Sequence, residues 1–344
     1  MAPDSVNLMS DTQTRPSAGM RRAMAEAEVG DEQRMLDPTV NALQERVAEL
    51  LGHEAALFLP SGTMCNQIAI RLHTRPGDEV ILERHSHPII AEAGGLAAHS
   101  GVMMQPVDGS GGMFTAGQVR ASLRTPGNRY EPRSRLLCVE QTTNYGGGRV
   151  WPLEQVRDVL GAAADSGLLT HLDGARLMNA VVASGVSASD YASGFDTAWL
   201  DFTKGLGAPV GACIAGSRAV IHEAWRFKQM MGGSMRQAGI VAAAGLYSLD
   251  HNVERLAEDH ANARALADGI AALDGAEIDP STVDTNIVIF EVADPARVIG
   301  ALAQRGVDMG PMGPGRVRAV THLDVDPAGI QRALGALEEV LATP

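Results

Sequence analysis

Apolar residues return at helical spacing between residues 37 and 52. Val40, Leu43, Val47, Leu50 and Leu51 fall on one face. Asp37 and Pro38 form a strong start, an N-cap aspartate followed by proline at the first helical position, and Gly52 stops the helix. The apolar run at 55–59 then predicts a buried strand. A helix reaching residue 72 follows it, after Pro60-Ser61-Gly62-Thr63-Met64-Cys65-Asn66. Further strands are predicted at 79–82, 136–140, 168–172, 197–202 and 210–214, with an amphipathic helix at 153–164. Short buried strands alternating with helices predict an α/β fold with a largely parallel, doubly wound sheet. Past residue 249 the texture changes. A long charged helix at 251–273, strands at 286–292 and 316–320, and helices at 295–305 and 327–341 make a smaller α/β unit. The pattern therefore predicts a large domain over residues 1–250, with an N-terminal arm at 1–17, and a small C-terminal domain over 251–344.

Composition narrows the partners. Of 344 residues, 45% are hydrophobic, enough for a large core. Against 28 Lys and Arg stand 41 Asp and Glu, a formal charge of −13, which argues against nucleic acid and anionic membranes as partners. Cys65, Cys138 and Cys213 are an odd set in apolar surroundings and read as buried thiols of a reducing compartment. No apolar stretch has the length of a membrane span, and residues 1–11 lack a signal pattern, so the expectation is a soluble, cytoplasmic protein.

Open α/β sheets bind ligands outside the carboxyl ends of their strands. Three chemically useful groups fall at such ends. Ser61-Gly62-Thr63 offers hydroxyls and free helix amides, either an ordinary cap or a phosphate cradle. Asp173 closes Leu168-Leu169-Thr170-His171-Leu172-Asp173. An aspartate there anchors a cationic ring nitrogen, ligates a metal or caps a helix. Lys204 follows the run Ala198-Trp199-Leu200-Asp201-Phe202-Thr203 and precedes a glycine loop. A lysine at the mouth of a buried strand is costly to desolvate, which favours its neutral, nucleophilic amine and Schiff-base chemistry. Cradle, carboxylate and lysine together form the set that pyridoxal phosphate requires. His85 and His87 make a His-x-His pair without matching further ligands nearby, so no metal is expected, and a ring-stacking role suits an imidazole better. The Met-rich stretch 230–235 reads as packing or interface.

Several longer motifs resemble those of the threonine aldolases within the β-eliminating lyase family. They are Met9-Ser10-Asp11-Thr12-Gln13-Thr14-Arg15-Pro16, Asp37-Pro38-Thr39-Val40-Asn41, Leu59-Pro60-Ser61-Gly62-Thr63, His171-Leu172-Asp173-Gly174-Ala175-Arg176, Lys204-Gly205-Leu206-Gly207, Met235-Arg236-Gln237-Ala238-Gly239 and Val317-Arg318-Ala319-Val320-Thr321-His322. The resemblance covers nearly the whole chain. It implies the fold type I architecture of pyridoxal-phosphate enzymes, of the aspartate-aminotransferase kind. It also implies retro-aldol cleavage of a β-hydroxy-α-amino acid (threonine, allo-threonine or a phenylserine-like compound) to glycine and an aldehyde. Lys204 would hold the cofactor as a Schiff base, Asp173 would pair with the ring nitrogen and His87 would stack on the ring. Ser61, Gly62 and Thr63 would bind the phosphate. Ser10, Arg176 and Arg318 would grip the α-carboxylate, with Arg176 also close to the cofactor. Homotetramers with sites at the dimer interface are implied, with Arg236 reaching a neighbour's cofactor.

Departures from the family pattern fall at Arg34, Ala91, Tyr130 and Lys228, and the expectation is that they surround the substrate side chain. His87 or Tyr130 would take the β-hydroxyl proton, and the high ordinary pKa of a phenol favours His87. Rival readings are a β-eliminating lyase releasing ammonia and a keto acid, and a non-catalytic protein that kept the fold. A nicotinamide-binding domain is set aside because no Gly-x-Gly-x-x-Gly follows the first strand.

Overall fold

The computed structural model describes residues 5–342, so the expected domain limits at 1–4 and 343–344 lie outside the described residues. Its strands run β1 Val6–Asn7, β2 Ala55–Leu59, β3 Asp78–Glu83, β4 Met103–Val107, β5 Arg133–Glu140, β6 Leu169–Gly174, β7 Thr197–Asp201 and β8 Ala212–Gly216. The C-terminal part adds β9 Ala276–Glu277, β10 Ile287–Val292, β11 Val307–Asp308, β12 Gly310–Pro311 and β13 Arg316–Val320. Among the described residues the large sheet has seven strands in the order β2-β8-β7-β6-β5-β3-β4. All neighbours pair parallel except β8, which is antiparallel to both β2 and β7.

The local rules act as the pattern anticipates. Helix Pro38–Leu51 is capped by the Asp37 carboxylate, which accepts from the Val40 amide at 3.0 Å. Gly52 ends it with a φ of 69°, a left-handed conformation that favours glycine. The helix buries Val40, Leu43, Val47 and Leu51 against the main core. A second core gathers apolar residues of helices Leu256–Ala271, Pro295–Gln304 and Pro327–Ala342 under the antiparallel sheet β12-β13-β10-β9.

Three expectations are corrected. Strand β4 is absent from the predicted set because it is an edge strand holding Pro106, half exposed and without a clean alternation. The helix expected at 251–273 begins only at Leu256, as Leu256–Ala271, and a separate, unpredicted helix, Gly239–His251, precedes it. Between them the buried Asn252 amide turns inward and donates to the Leu206 carbonyl at 2.8 Å. Lastly, the N-terminal arm does not belong to the large domain alone. β1 pairs in parallel with β11, and Val6 and Leu8 are buried in the second core.

Candidate active site

The carboxyl ends of β2, β3, β5, β6 and β7 open onto one cavity of about 370 Å³, within the size range of small-molecule and cofactor pockets. Ser61 leaves β2 as the N-cap of helix Gly62–His73, its Oγ accepting from the Met64 amide at 3.2 Å. Gly62 is required by packing: a Cβ there would lie 2.2 Å from Cη2 of Trp199. The Trp199 ring cannot give way easily, because its Nε1–H donates to Asn66 Oδ1 at 2.8 Å. Thr63 and the free amides of this helix face the same cavity.

Strands β5 and β6 are in register, with Glu140 opposite Asp173. Asp173 is buried; it accepts from Asn66 Nδ2 at 2.8 Å and from the Ala175 amide at 3.0 Å. Burial pushes its carboxyl above the ordinary aspartate value, opposed by the Asn66 bond and by His87 and Lys204. Glu140 is pushed up to about 8 by burial and by the neighbouring Asp173 carboxylate. Lys204 lies three residues beyond β7, with 17% of its side chain exposed, and its Nζ pairs with Asp201. That Nζ also stands 5.8 Å from the Trp199 ring centroid.

His87 follows β3 and bonds through Nδ1 to Glu92 at 2.9 Å. This bond raises the imidazole above its ordinary value against the opposing effect of burial. His85 turns elsewhere, stacking on Tyr145 at 6.4 Å. Tyr145 separates the cavity from a wider one of about 700 Å³, which reaches Glu291 and Arg316 of the small domain.

The two cavity arginines come from different domains. Arg176 donates to Asp11 twice, Nε at 2.7 Å and Nη2 at 2.6 Å. Burial alone would raise the Asp11 carboxyl, but the Arg176 guanidinium holds it well below the usual carboxylate range. Arg318, on β13, donates from Nη1 to Asn144 at 3.2 Å, and Arg176 Nη1 meets the same Asn144 oxygen at 3.4 Å. Burial and the Arg176 charge depress Arg318, and its Nε is buried without a partner among the described residues. Two guanidinium groups converging on one neutral amide oxygen are the mark of a site that expects an anion. Ser10, the N-cap of the turn Asp11–Gln13, completes this corner.

Ser10, Ser61, Gly62, Thr63, His87, Asp173, Arg176, Lys204 and Arg318 therefore share the cavity. Tyr130 and Arg236 do not. Tyr130 is 89% exposed, in the segment that precedes β5. A strand of 8 residues separates it from the carboxyl end, roughly 26 Å at ~3.3 Å per residue. Arg236 pairs with Asp31 at 3.6 Å with 66% of its side chain exposed. Of the departures, Ala91 alone lies in the cavity wall. Arg34 is exposed on a loop, and Lys228 is buried against Glu32 at 2.9 Å. The expectation that they all surround the substrate side chain is thus corrected. Asp11, Asn66, Glu92, Glu140 and Asp201 carry no role in the sequence reading. Glu140 and Asp201 close their strands as Asp173 nearly closes β6, and that repetition was the available signal.

The family model described as beta-eliminating lyase matches residues 7–295. The low specificity L-threonine aldolase of Escherichia coli is 40% identical over 325 residues, covering 93% of this chain and 94% of that one. Low-specificity L-threonine aldolase 1 of Arabidopsis thaliana is 36% identical over 351 residues, covering 100% and 98%. The solved structure of Leishmania major threonine aldolase superimposes with a TM-score of 0.83 at 20% identity, covering 97% of this chain and 99% of that one, which establishes the shared fold.

Proposed function

Because the chain belongs to the β-eliminating lyase family, we propose that it is a pyridoxal-phosphate-dependent carbon–carbon lyase that cleaves β-hydroxy-α-amino acids to glycine and an aldehyde. One observation carries the reading: Lys204 and Asp173 stand at the ends of adjacent parallel strands, in the cavity that also holds Arg176 and Arg318.

The residues fit the cofactor. A donor-rich helix start with no room for a side chain at Gly62 suits a phosphate. Asp173, fixed on both oxygens, would face a protonated ring nitrogen, and His87 would lie against the ring face. Lys204 would hold the carbonyl carbon; Asp201 keeps its amine in place. When bound, pyridoxal phosphate supplies an electron-accepting ring that takes up the pair released from the broken Cα–Cβ bond.

The chain's own groups do the rest. Arg176 and Arg318, whose Nη1 atoms meet at Asn144, bind the α-carboxylate. That grip turns Cα–Cβ toward the ring face, the geometry that selects this bond over its neighbours. His87 Nε2 takes the β-hydroxyl proton, since Nδ1 is engaged by Glu92. Ala91 leaves room where the β-substituent lies.

A second copy of the chain also belongs to the reading. Val29, Met35, Leu36, Met230 and Ile240 are exposed apolar residues. They sit on or beside two loops, residues 26–37 and 231–238, with Met230 and Ile240 at the helix ends that flank the second, and the Gly30 and Gly239 amides both donate to Asp37 where the loops meet. The exposed Arg236 extends from the same loops. A dimer covering this patch, doubled to a tetramer, would bring Arg236 to the partner's cofactor. A cytoplasmic location accords with three buried free thiols. Among the described residues no helix is long and apolar enough to cross a membrane.

The test is product analysis of the purified holoenzyme with threonine, allo-threonine, phenylserine and serine. Glycine and aldehyde are expected, with turnover abolished in Lys204→Ala. Ammonia and a keto acid would instead make it a β-eliminating enzyme, the second reading that the family description favours.

A further inference from the structure

Beneath the cavity lies a buried chain of hydrogen bonds that the reaction as described does not use. It runs from His73 Nε2 to Thr197 Oγ1 at 2.9 Å, then from that hydroxyl to His171 Nδ1 at 2.8 Å. His171 Nε2 meets Asn66 Oδ1 at 3.1 Å. Asn66 Nδ2 meets Asp173 Oδ2 and Glu92 Oε1, each at 2.8 Å. Glu92 Oε1 also receives His87 Nδ1 at 2.9 Å, and Gln67 donates to its other oxygen. His73, Thr197, His171, Asn66, Asp173 and Glu92 are all buried.

The direction of every bond follows from the donor inventory. The indole of Trp199 can only donate, and it meets Asn66 Oδ1 at 2.8 Å, so that atom is the amide oxygen. The two amide hydrogens then go to the two carboxylates. The second lone pair of Oδ1 must be filled by an N–H, so His171 carries its proton on Nε2. Burial holds His171 down to about 3 and His73 to about 4, so both rings are neutral. A neutral ring has one N–H, hence His171 Nδ1 accepts the Thr197 hydroxyl proton. Thr197 in turn accepts from His73. Every polar atom of the Asn66 amide is satisfied, and no other orientation satisfies them.

We propose that Asn66 is a positioning residue that orients both the ring-nitrogen partner Asp173 and, through Glu92, the base His87. One amide thereby sets the spacing between the group that holds the ring nitrogen and the group that moves the hydroxyl proton. It also fixes the His87 tautomer: Glu92 is aimed to take Nδ1–H, so the neutral ring turns its Nε2 lone pair to the cavity. The histidine relay behind Asn66 serves as its anchor. This inference rests on the roles proposed above for Asp173 and His87.

The experiment compares wild type, Asn66→Ala and Asn66→Asp. ¹⁵N-histidine NMR of the apoprotein reads the relay without any turnover. Wild type should show two non-titrating Nε2–H imidazoles. Asn66→Ala should release His171 to a mixture of tautomers. Asn66→Asp keeps an acceptor for Trp199 and His171 but loses the paired donors, so His171 should stay Nε2–H. In both variants the pyridoxal phosphate Kd should rise about tenfold and kcat fall about 10- to 100-fold, as loss of a hydrogen bond to a charged group implies. KM should change far less than kcat, since neither arginine is disturbed. If Asn66→Ala does not fold, Asn66→Asp alone carries the test. Kd and kcat within twofold of wild type in a folded variant would overturn the proposal. So would an Nδ1–H tautomer at His171 in wild type. Asp173→Ala is measured alongside. Wild-type turnover there overturns the reading of the site itself, whereas an inactive Asp173→Ala beside a silent Asn66 variant overturns this inference alone.

Discussion

Replacing Lys228 by methionine removes a buried charge while keeping the side chain's length. Both Lys228 and Glu32 have 0% side-chain exposure, and they meet at 2.9 Å. Lys228 Nζ also lies 4.5 Å from the Trp225 ring centroid. Without the ammonium, the Glu32 carboxylate keeps one bond, from the Met235 amide at 2.5 Å. Removing one member of a buried pair costs about 3–5 kcal/mol. The Met235 bond offsets part of that cost, so a loss of about 3 kcal/mol is expected. Thermal unfolding at fixed protein concentration should show a Tm lower by roughly 5–10 °C. The double variant Glu32→Met/Lys228→Met should recover most of it, because an apolar pair of similar volume replaces a buried ion pair at little cost. A single variant within about 1 kcal/mol of wild type would refute the reasoning. So would a double variant as unstable as the single one.

Gly62→Ala should lower kcat/KM and cofactor affinity together at a cost of about 1–3 kcal/mol, the usual penalty of overpacking. Its Cβ meets a Trp199 ring held by Asn66; unchanged affinity in an absorbance titration would contradict this. Glu140, held up to about 8 in the folded apoprotein, keeps its proton where the unfolded chain has lost it. Its contribution to stability is therefore full below the ordinary glutamate range and lost as pH rises through about 8. Glu140→Gln should flatten the decline of apoprotein stability between pH 5 and 8 by up to about 1.4 kcal/mol per pH unit; an unchanged slope in denaturant melts would exclude that role. Arg318→Ala should raise KM and cut kcat/KM roughly 100-fold, as expected for truncating one partner of a buried charge pair. Apoprotein stability should hold or improve, since an unsatisfied buried donor beside Arg176 is removed; a destabilised apoprotein would argue against the anion-site reading.

Much of the large sheet and part of the site were legible in the sequence, for reasons tied to particular residues. β2, β5, β6, β7 and β8 are short apolar runs whose ends are marked by Ser61, Glu140, Asp173 and Asp201, and the chain punctuates them with glycines and caps. Lys204 and Asp173 came together because adjacent parallel strands must bring their carboxyl ends together. Tyr130 stands apart from the site because it precedes β5, and a parallel strand carries its two ends to opposite sides of the sheet. Asp11 and Asn66 stayed hidden for another reason. Each acts through partners far along the chain: Asp11 through Arg176, Asn66 through Asp173 and Trp199. No local pattern announces a hydrogen bond that spans more than a hundred residues. Lys228 shows the converse: expected beside the substrate side chain, it is buried against Glu32, far along the chain, instead.

The pairing of β1 with β11 sets the order in which the chain can be completed. Val6 faces Val307, and the Leu8 carbonyl accepts from the Val320 amide. On the ribosome Val6 and Leu8 are made long before their partners Val307 and Val320. Helices and hairpins of the large domain can form as they emerge, but Val6 and Leu8 stay unpaired and exposed until the C-terminal segment leaves the exit tunnel. During synthesis the nascent enzyme therefore carries a free apolar N-terminal strand, the segment a chaperone would most readily hold. Moving the termini by circular permutation would let that strand be made directly beside its partners.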